Sequence, residues 1–158
     1  MLPPTLIFAE RKPRFFQLIV SQFAGHEKAT ETFKTGKGRP WGDHPQCLFW
    51  GADRFFRPGS QAKLVDNWIP ALDGVEAKLK AGAKVADIGC GHGSSTVLMA
   101  QAYPNSKIHG IDFHAPSIEE AKEKARAAGV TNVEFHVAKA QDFAGEGFDF
   151  PCMFVALH

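Results

Sequence analysis

No apolar run in the 158-residue chain approaches the roughly 20 residues that a membrane-spanning helix needs. No charge of one sign dominates either. Eighteen basic residues stand against seventeen acidic ones, for a net charge of +1, and the basic residues are scattered. That pattern gives no polyanion-binding surface, so the expectation is no nucleic-acid partner and no membrane. Three cysteines, Cys47, Cys90 and Cys152, are an odd number without metal-ligand pairing, which excludes a disulfide framework and suits reduced thiols. Repeats and low-complexity segments are lacking as well. The opening "MLPPTLIFAERKP" has two early prolines and an acidic residue, which argues against a signal peptide. The expected location is cytoplasmic. With 44% hydrophobic and 22% charged residues, the composition is that of an ordinary globular protein with enough chain to bury a core.

Two textures divide the sequence. Residues 1–80 read as an N-terminal helical segment, and residues 81–158 as alternating strand and helix. In the first, "RFFQLIVSQFAGHEKATETF" carries Phe15, Phe16, Leu18, Ile19 and Phe23 as a wide apolar stripe at helical spacing. "KTGKGRPWGDHP" forbids long regular structure. "CLFWGADRFF" and "SQAKLVDNWIPAL" read as two short helices split by Arg57-Pro58-Gly59. In the second, "KVADI", "KIHGID", "NVEFHVA" and "FDFPCMFVAL" read as four strands, with Val133, Phe135 and Val137 facing inward on the third. "SSTVLMAQAY" and "SIEEAKEKARAAG" read as helices between them. The latter has Ser117 and Glu120 as a capping box and Gly129 as its C-terminal stop. This order predicts an α/β fold with a Rossmann-like open parallel sheet, incomplete at about four strands, and an N-terminal helical segment over its carboxyl edge.

The stretch "VADIGCGHGSS" ends the first strand in a turn with Gly89, Gly91 and Gly93. Missing side chains let such a backbone turn sharply and approach a ligand closely. A dinucleotide fingerprint needs glycine or alanine where this chain has Ser94, and no Lys-Ser/Thr pair follows for a phosphate-binding loop. Two carboxylates frame the turn instead. Asp87 lies two residues before the first glycine and would repel a pyrophosphate but attract an amine. Asp112 ends the second strand, where it offers two acceptors to a ribose diol. Amine, ribose and no phosphate describe S-adenosylmethionine.

"VADIGCGHGSSTVLMAQAYPNSKIHGIDFH" resembles the first two motifs of the class I S-adenosylmethionine-dependent methyltransferases. The wider chain, from about residue 15, is similar to a bacterial subgroup with a helical or winged-helix N-terminal region; "LFWGADRFFRPGSQAKLVDNWIPALDGVEAKLKAGAKVADIGCGHG" carries that likeness. The resemblance implies that Gly89, Cys90, Gly91 and Gly93 pass under the cofactor, that Asp87 holds its methionine end, and that Asp112, followed by Phe113, takes the ribose hydroxyls. The expected function is methyl transfer to a small-molecule acceptor, with residues 1–80 on the lid or substrate side.

The chain also departs from the family pattern. Lys139 stands where the family often has an Asp facing adenine, which leaves Ala140 backbone or Asp142 for that contact. Pro151 interrupts the fourth strand, and the sequence stops at His158, so a fragment of a longer enzyme is expected, or a truncated product needing a partner. The edge and "MFVAL" would then meet water, and the chain would dimerise through that edge, bind cofactor weakly or precipitate. In "WGDHP", Trp41, Asp43 and His44 form either a substrate-side element or an interhelical turn with a packed tryptophan. Asp43 or His44 is the candidate general base, needed only if the acceptor must lose a proton. His92 reads as a bystander, Cys90 as a small packing residue, and "RFFRP" as core with salt bridges. No Ser-His-Asp set or metal-ligand cluster is legible, and no metal is expected. Two other classes stay open: a non-catalytic interaction protein built on a cofactor fold, and a nicotinamide-dependent oxidoreductase.

Overall fold

The structure, a computed structural model, describes residues 4–154. By their internal contacts two compact units are distinguished, Met1–Phe56 and Arg57–His158. No helix among the described residues is long and apolar enough to cross a membrane.

In the first unit, α1 (Pro4–Thr35) pairs with the start of α2 (Gln46–Lys63), with a short 3-10 turn at Trp41–Asp43 between them. Small residues set the contact. Ser21 and Gly25 are buried on α1, and Gly51 of α2 lies so close that a Cβ there would stand 3.1 Å from Leu18 Cδ2. The expected phenylalanine stripe is therefore corrected: Phe16 and Phe23 turn outward, and Phe23 is 74% exposed. Two helices approach most closely where side chains are smallest, and the largest apolar residues of the stripe fall off that line. Phe55 packs against Phe15 and Phe56, while Arg54 donates to Gln17 Oε1 at 3.2 Å.

A second correction concerns the helix break at Arg57-Pro58-Gly59. There is one helix, α2, with Pro58 inside it, continued by a π-helical turn at Leu64–Trp68. Proline removes one helical hydrogen bond and crowds the preceding turn, at a cost of about 3 kcal/mol. The other turns of this 18-residue helix remain bonded.

In the second unit, α3 (Val75–Ala81) leads into β1 (Lys84–Ile88), α4 (Ser94–Ala102), β2 (Lys107–Asp112), α5 (Ala115–Ala128), β3 (Val133–Val137) and β4 (Phe150–Cys152). The four strands form one parallel sheet in the order β3-β2-β1-β4, the architecture expected from the alternating pattern. Its core gathers Leu64, Ile69, Leu79, Val85, Met99, Tyr103 and Ile108. Phe135 fills the space under the glycine turn, where a Cβ on Gly110 would come within 2.6 Å of its ring and one on Gly93 within 3.1 Å. Asn132 ties α4 to β2: its Nδ2 donates towards the carbonyls of Ala100, Tyr103 and Ser106 at 3.1, 3.2 and 2.9 Å.

Three details differ from expectation. The α5 helix starts at Ala115, with His114 as N-cap residue and no side-chain cap, so Ser117 and Glu120 form no capping box. Pro116, pre-set for a first helical turn, moves the start upstream, and Ser117 is buried against His114 Nδ1 at 2.8 Å. Gly129 does end the helix in a left-handed conformation, φ 68°. Val137, the last residue of β3, lies on the same face as Val133 and Phe135 but is 54% exposed. The fourth strand is only Phe150–Cys152, and Phe154 packs against the core. Met153 is exposed, and the remainder of "MFVAL", residues 155–157, lies outside the described residues. Pro151 stands opposite Ala86, on a strand that among the described residues has one neighbour, the place where a sheet tolerates proline.

Candidate functional site

The turn between β1 and α4 is held from both sides of its backbone. Gly89, Gly91 and Gly93 have φ of 70°, 52° and 69°, the left-handed region that only glycine enters without strain. The N–H groups of Gly89 and Cys90 both donate to the carbonyl of Ile111, at 2.7 and 3.1 Å, which staples the turn to the end of β2. Asp112 completes the lock. Its Oδ2 accepts from Gly91 N at 3.0 Å and its Oδ1 from His114 N at 2.8 Å. One carboxylate thus orders the turn and the start of α5, and each oxygen keeps a further lone pair. Above Gly91, a Cβ would meet nothing within 4 Å, so this face of the turn opens onto free space.

Asp87 sits under the turn at 1% exposure. Its Oδ2 accepts from Ser95 Oγ at 2.7 Å and Thr96 Oγ1 at 2.6 Å, both in the first turn of α4. Its Oδ1 is buried with no hydrogen-bond partner. Burial raises its pKa from 3.8 to about 6, against the lowering effect of the two hydroxyls, and Asp112 adds to the rise. A buried acceptor left open is costly, and a donor brought by a ligand would relieve the cost. Cys90 is also buried, which pushes its thiol well above the ordinary value and keeps it protonated.

Phe113 is 49% exposed beside Asp112. Ala140 and Asp142 lie exposed on the turn after β3, where Asp142 N donates to Lys139 O at 3.1 Å. Asp43 and His44 belong to the first unit, in a turn where Trp41 stands 5.4 Å from the His44 ring and edge-on to Phe49 at 5.3 Å. Asp43 is exposed, and its carbonyl accepts from Arg39 Nη2 at 2.9 Å.

Sequence reasoning missed the hydroxyl pair Ser95–Thr96 that holds Asp87; two adjacent hydroxyls opening the helix after the turn were the available signal. It missed a second grouping too. His109, Glu134 and His136 meet on the sheet face opposite α4, although the spacing of Glu134 and His136 puts them on one side of β3. His109 joins them only through strand register.

Residues 79–156 match the family described as methyltransferase domain. Trans-aconitate 2-methyltransferase of Afipia carboxidovorans is 32% identical over 56% of this chain and 32% of its own length. Ribosomal RNA small subunit methyltransferase G of Bacteroides fragilis is 34% identical over 46% of the chain and 35% of its own. The chain therefore spans about a third of the length of these curated relatives. A Nostoc punctiforme structure, solved as a candidate O-methyltransferase, superposes with a TM-score of 0.59 at 22% identity, covering 85% of this chain and 41% of that one, and so shares its fold. The glycine turn, the carboxylates of Asp87 and Asp112 and the parallel sheet all lie within residues 79–156, which are thus similar to a methyltransferase domain.

Proposed function

We propose that the second unit binds S-adenosylmethionine at the turn of Gly89, Gly91 and Gly93 and serves methyl transfer to a small-molecule acceptor. The unpartnered Oδ1 of Asp87 carries this reading, because a buried carboxylate with one open oxygen suits an ammonium group. Asp87 would hold the methionine amine, while the Asp112 carboxylate keeps lone pairs for a ribose diol. Phe113 would border the sugar, and the Ala140 backbone and Asp142 would meet the base. Cys90 packs beneath the turn as a neutral thiol. When bound, the cofactor supplies a methyl group already electrophilic on its sulfonium, so the protein's part is alignment and exclusion of water. A general base is needed only where the acceptor must lose a proton.

A small-molecule acceptor is supported by the absence of a basic surplus: the net charge of +1 offers little to a polyanion. The rRNA methyltransferase among the relatives makes RNA the rival acceptor. Cytoplasmic residence is part of the same proposal, consistent with three free cysteines. Parallel calorimetric titrations with S-adenosylhomocysteine and NADH test it. Saturable binding of the first and none of the second is expected, and Asp112→Ala should weaken it by about 1.5–3 kcal/mol. Binding of NADH alone would overturn the proposal.

A further inference from the structure

On the face of the sheet away from α4, β2 and β3 present a group of residues that the methyl-transfer reading leaves unused. His109 and Glu134 are in register across the two strands, and His136 follows two residues on, so all three side chains project from the same face. His109 Nδ1 lies 3.0 Å from His136 Nε2 and 3.6 Å from Glu134 Oε2, and the latter two atoms are 3.9 Å apart. A point equidistant from the three is about 2 Å from each, the bond length zinc takes with imidazole nitrogen and carboxylate oxygen.

We propose that His109 Nδ1, His136 Nε2 and Glu134 Oε2 form a binding site for a zinc-type divalent cation. Two imidazoles with one carboxylate suit a borderline metal such as zinc and not the all-oxygen shells of calcium or magnesium. Three protein ligands leave a fourth position for water, and Glu134, half-exposed, gives the ion a way in. His109 Nε2, which carries the proton when Nδ1 binds the ion, is buried without a hydrogen-bond partner, while the rest of the surroundings fit. Lys107 Nζ holds the other carboxylate oxygen, Glu134 Oε1, at 2.7 Å and fixes which oxygen turns to the metal. Phe148 stands edge-on to His109 at 5.5 Å and Phe143 tilts over His136 at 5.0 Å, forming an apolar wall on the loop between β3 and β4. The competing use of the same atoms is a single proton shared between the two rings, which the ion would replace. Bound there, the metal would cross-link β2 to β3 on the face opposite the turn.

Cobalt and zinc titrations of the full chain at pH 7.5 decide the matter. One equivalent of cobalt should give visible d–d bands without the near-ultraviolet thiolate band that cysteine ligation would add, and zinc should displace it. His136→Ala and Glu134→Gln should each weaken zinc binding at least tenfold, since loss of even an outer-sphere partner costs about 10–100-fold. Glu134 is exposed, so its amide variant leaves the sheet packed. Asp87→Asn, at the turn, should leave zinc affinity unchanged. Unchanged affinity in both ligand variants would place the ion elsewhere. Absence of d–d bands would mean that the ring-to-ring hydrogen bond accounts for the cluster. Either result overturns the proposal.

Discussion

Asp87 is costly to the fold. Its pKa is raised from 3.8 to about 6, so in the pH interval between those values the folded chain keeps a proton that the unfolded chain has lost. Stability therefore falls as pH rises through that window and levels off above it, a penalty on the order of 3 kcal/mol near neutrality. Asp87→Asn should raise the melting temperature at pH 7.5, with the gain shrinking towards pH 4, and should abolish S-adenosylhomocysteine binding in calorimetry. A variant that is no more stable at pH 7.5 would show that the buried charge is already compensated. Both carboxylates stand out in the sequence because each lies at the end of a strand beside the glycine turn. The hydroxyls of Ser95 and Thr96 were not, since a helix start offers many serines and threonines that serve only the backbone. The link from Asp112 to Gly91 was hidden too, because it joins residues 21 positions apart.

Strands were the most legible elements. "KVADI" and "KIHGID" have in the structure the bounds that their apolar runs and flanking turns suggest. Helix ends and faces were less so. Pro58 reads as a break when taken alone, yet the rest of α2 carries it, and the face of α1 follows Ser21 and Gly25 instead of the phenylalanines. Asn132, in the link before β3, shows what local pattern cannot reveal. Its amide has two hydrogens facing three carbonyls that end α4 and begin β2. Asn132→Ala should cost about 1–3 kcal/mol in urea unfolding, as those acceptors lose their donor. Asn132→Asp should cost more and grow worse as pH rises past the carboxylate range, because an acceptor would then face acceptors. Equal loss in the two variants would reduce Asn132 to a packing residue.

Across the whole molecule, the fold class followed from the alternation of strand and helix, whereas the grouping of residues in space depended on register, which no single sequence displays. That register also spaces its contacts unevenly along the chain. Ala83 and Ser106, beside the β1–β2 pair, are 23 positions apart, and His109 and His136, across β2–β3, are 27. Lys84 and Asp149, which start the β1–β4 contact, are 65 apart. Closing the longer loop costs more entropy and returns only three paired residues. Native-state hydrogen exchange should find the β4 amides opening more readily than those of β1 and β2. Equal protection would mean that β4 belongs to the same cooperative unit. The same spacing has a consequence during synthesis. At about 5–20 residues per second, Val137 is made on the order of a second before Phe150. The three-stranded unit that carries the glycine turn, Asp87 and Asp112 closes through the shorter loops, so β4 docks onto an edge of β1 that is already formed.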